Sequence, residues 1–98
     1  MEQVFEWDRN KARLNLVKHK VSFEEGKTIF EDPFLITFPD EFHSQNEDRL
    51  ISIGESSQKR ILLAVHVERL QSDKLITIRI ISCRKATAVE KKIYEEKR

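Results

Sequence analysis

Three stretches of the chain carry side chains able to do chemistry on an anionic substrate. The first is ITIRIISCRKAT, Ile76 to Thr87. A β-branched run of this kind belongs in a sheet, yet Arg79 interrupts it and Arg84 with Lys85 closes it. Strict alternation puts Ile76, Ile78, Ile80 and Ser82 on one face and Thr77, Arg79, Ile81 and Cys83 on the other. A buried, unpaired guanidinium is costly. Arg79 must therefore meet a carboxylate, snorkel on a solvated face or open on a groove. Arg84 lies five residues further on, the opposite face of a regular strand. The two arginines converge only if the strand bends or if Arg84 already belongs to the turn.

The second stretch is the loop DEFHSQNEDRL, which holds His43, Glu47 and Arg49 within seven residues. An imidazole exchanges protons near neutrality, a carboxylate can act as a base, and an arginine fork grips phosphate. The same loop also reads as solvated charged surface. The third stretch follows Asp8. At about 100° per residue, Asp8, Lys11, Asn15, Lys18 and His19 fall within an arc of about 100°. That stripe is either a solvated face or the wall of a groove ending at Lys18 and His19. Cations at a helix C-terminus also favour the helix dipole, a sufficient structural reason for both. No metal-ligand spacing is present, because the three histidines are far apart and Cys83 is alone; no metal or other cofactor is expected. Cys83 reads as a small core residue, His66 as structural, and Tyr94 as a packing residue with a wet hydroxyl.

The elements that must position these residues follow from patterning. Ninety-eight residues make one domain, 1–98, with a modest core. The chain is 39% hydrophobic and 36% charged, which excludes a disordered chain. Its 18 basic and 17 acidic residues leave a net charge of +1. Any anion site must then come from local clustering of positive charge. A single cysteine excludes an internal disulfide and points to a reducing compartment. No apolar run approaches the roughly 20 residues of a membrane span, so a cytoplasmic protein is expected. Met1 to Trp7 reads as a short first strand at an edge. Asp8 caps a helix from Arg9 to about Lys20. SFEE is a capping box, Ser22 with Glu25, opening a helix of about two turns that ends near Phe30; Pro33 stops it. Strands follow at Phe34 to Phe38, Leu50 to Ile53, Arg60 to Leu70 and Leu75 to Cys83. Asp40 to Asp48 is a loop. TAVE, Thr87 with Glu90, is a capping box for a C-terminal helix. Short turns favour antiparallel neighbours. The expected fold is α+β: an antiparallel sheet of about four strands preceded by two helices, with a C-terminal helix.

Three blocks in order carry a resemblance: FEWDRNKARLNLVKHKVSFEEG, then EDRLISIG, then IRIISCRKATAVEKKIYE. Together, from about Phe5 to Tyr94, they resemble the BrnT family of bacterial type II toxins. The resemblance implies a RelE-like fold and an endoribonuclease that cuts RNA and inhibits translation. It implies a BrnA-like ribbon-helix-helix antitoxin that neutralises the toxin in a hetero-oligomer, with DNA contacted only indirectly through that antitoxin. Carried over by motif, its positions of interest are Lys18 and His19, Glu47 and Arg49, and Arg79, Arg84 and Lys85. Lys20 stands where the family usually has glycine, Cys83 where it has alanine, and Lys91 where an arginine is expected.

The chemistry implied is metal-independent cleavage by the 2′-hydroxyl, giving a 2′,3′-cyclic phosphate. Arg79 and Arg84 are the expected phosphate clamp with Arg49 beside them. Glu47 or His19 is the expected base, with His43 a weaker one, and Lys18 and Lys85 hold the RNA backbone. The competing expectation is a binding module without catalysis, gripping an antitoxin or RNA with the same cations. A purely structural domain, its arginines paired with nearby glutamates, is the third.

Overall fold

Each helix begins where its cap residue dictates. The computed structural model describes residues 1–42 and 48–97; His43 and Glu47 lie outside the described residues. Asp8 accepts the Lys11 N–H and starts α1, Arg9–His19. Ser22 accepts the Glu25 N–H and starts α2, Phe23–Lys27, which tightens into a 3₁₀ turn over Thr28–Glu31. Only the serine half of that capping box forms, because the Glu25 side chain turns inward to Arg60 and Ser56. Thr87 and Glu90 make the complete box that starts α3, Ala88–Glu96.

The strands are β1 (Glu2–Glu6), β2 (Ile36–Pro39), β3 (Leu50–Glu55), β4 (Ile61–Ser72) and β5 (Leu75–Lys85). They form one five-stranded sheet in the order β1-β5-β4-β3-β2. The expected antiparallel sheet of about four strands therefore needs correction. The edge strand expected at the N-terminus forms as β1, but it makes the sheet five-stranded and runs parallel to β5. Two helices and a 3₁₀ turn lie between β1 and β2, so β1 is free of hairpin geometry and can dock parallel.

Both faces of the sheet are covered, unequally. Leu62 and Ala64 of β4, with Ile80 and Cys83 of β5, pack under α1, α2 and the 3₁₀ turn against Val21, Phe23 and Ile29. Ile53 and Leu63 pack on the other face beneath Tyr94 of α3. Gly54 lets the 3₁₀ turn approach β3: a Cβ there would stand 2.9 Å from Leu35 Cδ1 and 3.2 Å from the Ile29 carbonyl oxygen. The alternation of β4 would leave His66 beside Glu68 on its less apolar face, but the ring is fully buried in the helix-covered core against Phe30. Its Nε2 is 2.7 Å from Ser52 Oγ, and burial pushes its pKa down to about 4, so the ring is neutral at pH 7. Tyr94 also departs from expectation. It is 2% exposed, and its hydroxyl donates to Asp32 at 2.5 Å in place of water.

Lys20 closes α1 in the left-handed region, φ 61° and ψ 29°, with its N–H on the Leu16 carbonyl. That conformation costs a residue with a Cβ about 1–2 kcal/mol, partly offset by the extra chain entropy a glycine loses on folding. Lys20→Gly is therefore expected to stabilise the protein by about 0.5–1 kcal/mol, a rise in Tm of roughly 2–8 °C by calorimetry. An unchanged or lower Tm would mean that the Lys20 ammonium, 3.0 Å from the Val17 carbonyl, outweighs the backbone cost.

Candidate active site

The strand that raised the question does bend. Val65 pairs with Ser82 but His66 pairs with Ile80, so Ile81 is an extra residue in β5. A bulge of this kind inverts the alternation beyond it. Ile78 and Ile80 point into the helix-covered core and Cys83 now joins them. Ser82 and Arg84 join Arg79 on the opposite face, opposite Val65, Leu63 and Val67. The two arginines share a face, as one of the two sequence alternatives required. Their cross-strand partners are four residues apart on β4, about 13 Å at roughly 3.3 Å per residue. They do not form one preassembled clamp.

Each arginine already holds a carboxylate. Arg84 donates from Nη1 and Nη2 to the two oxygens of Glu90 at 2.8 and 2.9 Å. The Arg84 fork holds the Glu90 carboxyl below the usual carboxylate range, and the Thr87 backbone N–H assists. This end-on pairing leaves the Nε edge of the guanidinium for another anion. Arg79 donates to Glu6 at 3.1 Å, and Glu6 also takes Arg69 at 3.4 Å. Arg79 is the more open of the two, with 41% of its side chain exposed.

Lys18 and His19 reach the same strand from the other side. β1 pairs with β5 only as far as Arg79, so β5 is an edge beyond that point. The helix α1 covers that edge, and Asn15 supplies the hydrogen bonds a further strand would have made. Its side-chain amide donates to the Cys83 carbonyl at 2.7 Å and the Val21 carbonyl at 3.0 Å, and its oxygen accepts the Cys83 N–H at 3.1 Å. Asn15 therefore leaves the polar stripe in which the sequence placed it and locks helix to sheet. Lys11, Lys18 and His19 then line a groove of about 210 Å³ against Ile81 and Ser82.

On the far side of Ser82 lies a larger cleft of about 570 Å³ beneath α3. Ile51, Ile53, Leu63 and Val65 form its floor; Arg49, Ser82, Arg84 and Glu90 are among its polar lining. Ser82 lines both hollows, and so stands between the Lys18 and His19 groove and the Arg84 cleft. The structure thus sets Lys18 and His19 in one hollow and Arg49 and Arg84 in the other, on either side of Ser82, with Arg79 further along the face of Arg84. Lys85 is not brought in. It pairs with Leu62 and bears on Glu25, the side of the sheet opposite Arg84. His43 and Glu47 lie outside the described residues.

Sequence reasoning missed Ser82 and Glu90 as parts of this site. Glu90 was visible as a capping residue, but nothing marked it as the partner of Arg84. Strict alternation groups Ser82 with Ile76, Ile78 and Ile80, because no glycine announces the bulge. Cys83 is buried, and burial pushes its thiol up to about 12, which leaves no nucleophilic thiolate. Among the described residues, no group of His, Cys, Asp and Glu is arranged to hold a metal ion. No helix among them is long and apolar enough to cross a membrane.

A family model described as the ribonuclease toxin BrnT of type II toxin–antitoxin systems matches residues 7–90. The chain is also similar to the 1.1 Å crystal structure of the Brucella abortus ribonuclease toxin BrnT. The likeness has a TM-score of 0.61 and 24% sequence identity, and covers 89% of this chain and 99% of that one. At that identity the likeness is one of fold. No curated protein matches the chain.

Proposed function

The chain belongs to the BrnT family of ribonuclease toxins of type II toxin–antitoxin systems, and on that premise we propose that it is a metal-independent endoribonuclease of RelE-like chemistry. Its site is the open face of β5 around Ser82 and Arg84. The observation that carries this reading is the bulge at Ile81, which turns Ser82 and Arg84 to the open face between two hollows.

RNA lies across Ser82, with the scissile phosphate at the free edge of Arg84. A base removes the proton from the 2′-hydroxyl, and the oxygen attacks phosphorus. The bond from phosphorus to the 5′-oxygen breaks, and an acid returns a proton to that oxygen. His19 and Glu47 are the two candidates for the base. Arg84, with Arg49 beside it, stabilises the charge that grows on the phosphorane-like transition state. Arg79 fits a neighbouring phosphate better than the same one, given the four-residue separation of its β4 partner from that of Arg84. Lys18 holds the backbone, and His43 is a further backbone contact. Cutting RNA in the cytoplasm inhibits translation. A BrnA-like ribbon-helix-helix antitoxin neutralises the toxin in a hetero-oligomer and carries any contact with DNA.

A second reading is favoured by the carboxylates already on Arg79 and Arg84. In it, the chain is a non-catalytic module that grips antitoxin or RNA and serves in operon regulation. Incubation of the purified protein with RNA in EDTA separates the two. New 5′-hydroxyl and 2′,3′-cyclic phosphate ends support the ribonuclease. Intact RNA, or cleavage that EDTA abolishes, contradicts it.

A further inference from the structure

The cleft beside Arg84 has a floor of aliphatic side chains and two partly or largely exposed phenylalanines in its lining. Phe38 and Phe42 both line it, and Phe42 is 88% exposed. A single exposed phenylalanine needs no explanation. Two lining one hollow together with a guanidinium do. The hollow, about 570 Å³, falls in the size range of small-molecule sites. Ser82 also lines the groove that holds Lys11, Lys18 and His19, so the two hollows lie side by side. The pair therefore offers cations for a phosphate backbone on one side and aromatic faces on the other. Sites for single-stranded nucleic acid divide their labour in this way, with basic groups tracking the chain and rings stacking on bases.

We propose that this cleft receives a nucleobase flanking the scissile phosphate, stacked on Phe42 with Phe38 as the second aromatic face. The proposal rests on the ribonuclease reading and adds to it a base subsite. The backbone groove then fixes the strand, while the stacked base fixes which bond stands at Arg84. Stacking tolerates any base with a π-face, so the subsite positions the strand more than it reads sequence.

The test compares kcat/KM for the wild type and Phe42→Ala on two oligoribonucleotides. One is intact, and the other carries an abasic residue beside the cleaved bond, placed in turn on either side. Phe42 packs against little, so Phe42→Ala is expected to keep the wild-type melt. It is expected to lower kcat/KM on intact RNA by on the order of 10-fold or more. The abasic residue on one side should lower the wild-type value by a similar factor. Combining the two changes should cost no more than either alone, and Phe42→Trp should restore the rate. Wild-type cleavage with an unchanged Phe42→Ala overturns this inference alone, as do losses that multiply when combined. A wild type that cleaves no RNA overturns it together with the reading it rests on.

Discussion

Arg84→Ala is expected to lower the single-turnover rate of RNA cleavage by on the order of 10²-fold or more, the loss typical of removing one donor to transition-state charge. The same change breaks the pair with Glu90, so its structural cost has to be separated. That pair is partly exposed, with 37% of the Arg84 side chain accessible. Such a pair is worth at most about 1 kcal/mol. Glu90 also keeps its capping bond to the Thr87 N–H when Arg84 is gone. Glu90→Gln makes the control: it removes the ion pair and leaves the guanidinium in place. The two variants should melt alike, while only Arg84→Ala loses cleavage. Lys85→Ala, the next residue but on the opposite face, should change the rate by less than about threefold, as surface cations do. Rates that simply track the melting temperatures of all three variants would make Arg84 a clasp for α3 and nothing more.

The largest expected effect on stability lies away from the site. Glu25 is 4% exposed. Its carboxylate accepts from Ser56 Oγ at 2.6 Å and from Arg60 through Nε at 2.9 Å and through Nη2. Arg60 also reaches the Lys20 carbonyl at 3.3 Å, so one guanidinium joins α2, the start of β4 and the end of α1. Arg60→Met leaves a buried carboxylate with a single hydroxyl partner. The expected cost is about 3–5 kcal/mol in urea unfolding at pH 7, a large part of the roughly 5–15 kcal/mol available to a domain. The pH dependence fixes the cause. In the wild type the Arg60 hydrogen bond holds the Glu25 pKa below its ordinary value of 4.5. The stability it contributes is present above that value and is lost as pH falls below it. Without Arg60, burial raises the pKa instead, so the variant's deficit should shrink between pH 7 and pH 5 as Glu25 takes up a proton. A deficit that is constant over that range would assign the loss to packing. Replacing both residues with apolar ones should recover much of the stability.

These two sites show what a sequence of this kind makes legible. The cap residues Asp8, Ser22 and Thr87 set the helix starts where expected, because capping is a local event. Strands β4 and β5 stood out as β-branched runs, and Cys83 lies in the core as expected. What escaped depends on partners distant in sequence. The parallel docking of β1 on β5 joins residues more than seventy positions apart. Asn15 reads as a surface residue until the unpaired edge of Cys83 is beside it. The bulge at Ile81 has no local signature, yet it decides which cations share a face. Arg79 and Arg84 fall together because of it, and Lys85 falls away. The BrnT resemblance pointed to Arg79, Arg84 and Lys85 on β5 but carried no information on their facing.

If RNA is cut on the open face of β5, across Ser82, a negative charge placed there must stop cleavage. Ser82→Glu tests it most directly. The side chain is half-buried at the junction of the two hollows, and the new carboxylate would sit among Arg84, Lys18 and His19, where it repels a phosphate without removing any residue that holds the fold. We expect a melt within about 2 °C of the wild type, as for surface substitutions away from buried features, and cleavage lowered by on the order of 10²-fold or more. A folded Ser82→Glu protein that cuts RNA at the wild-type rate would contradict the claim and remove the site from this face.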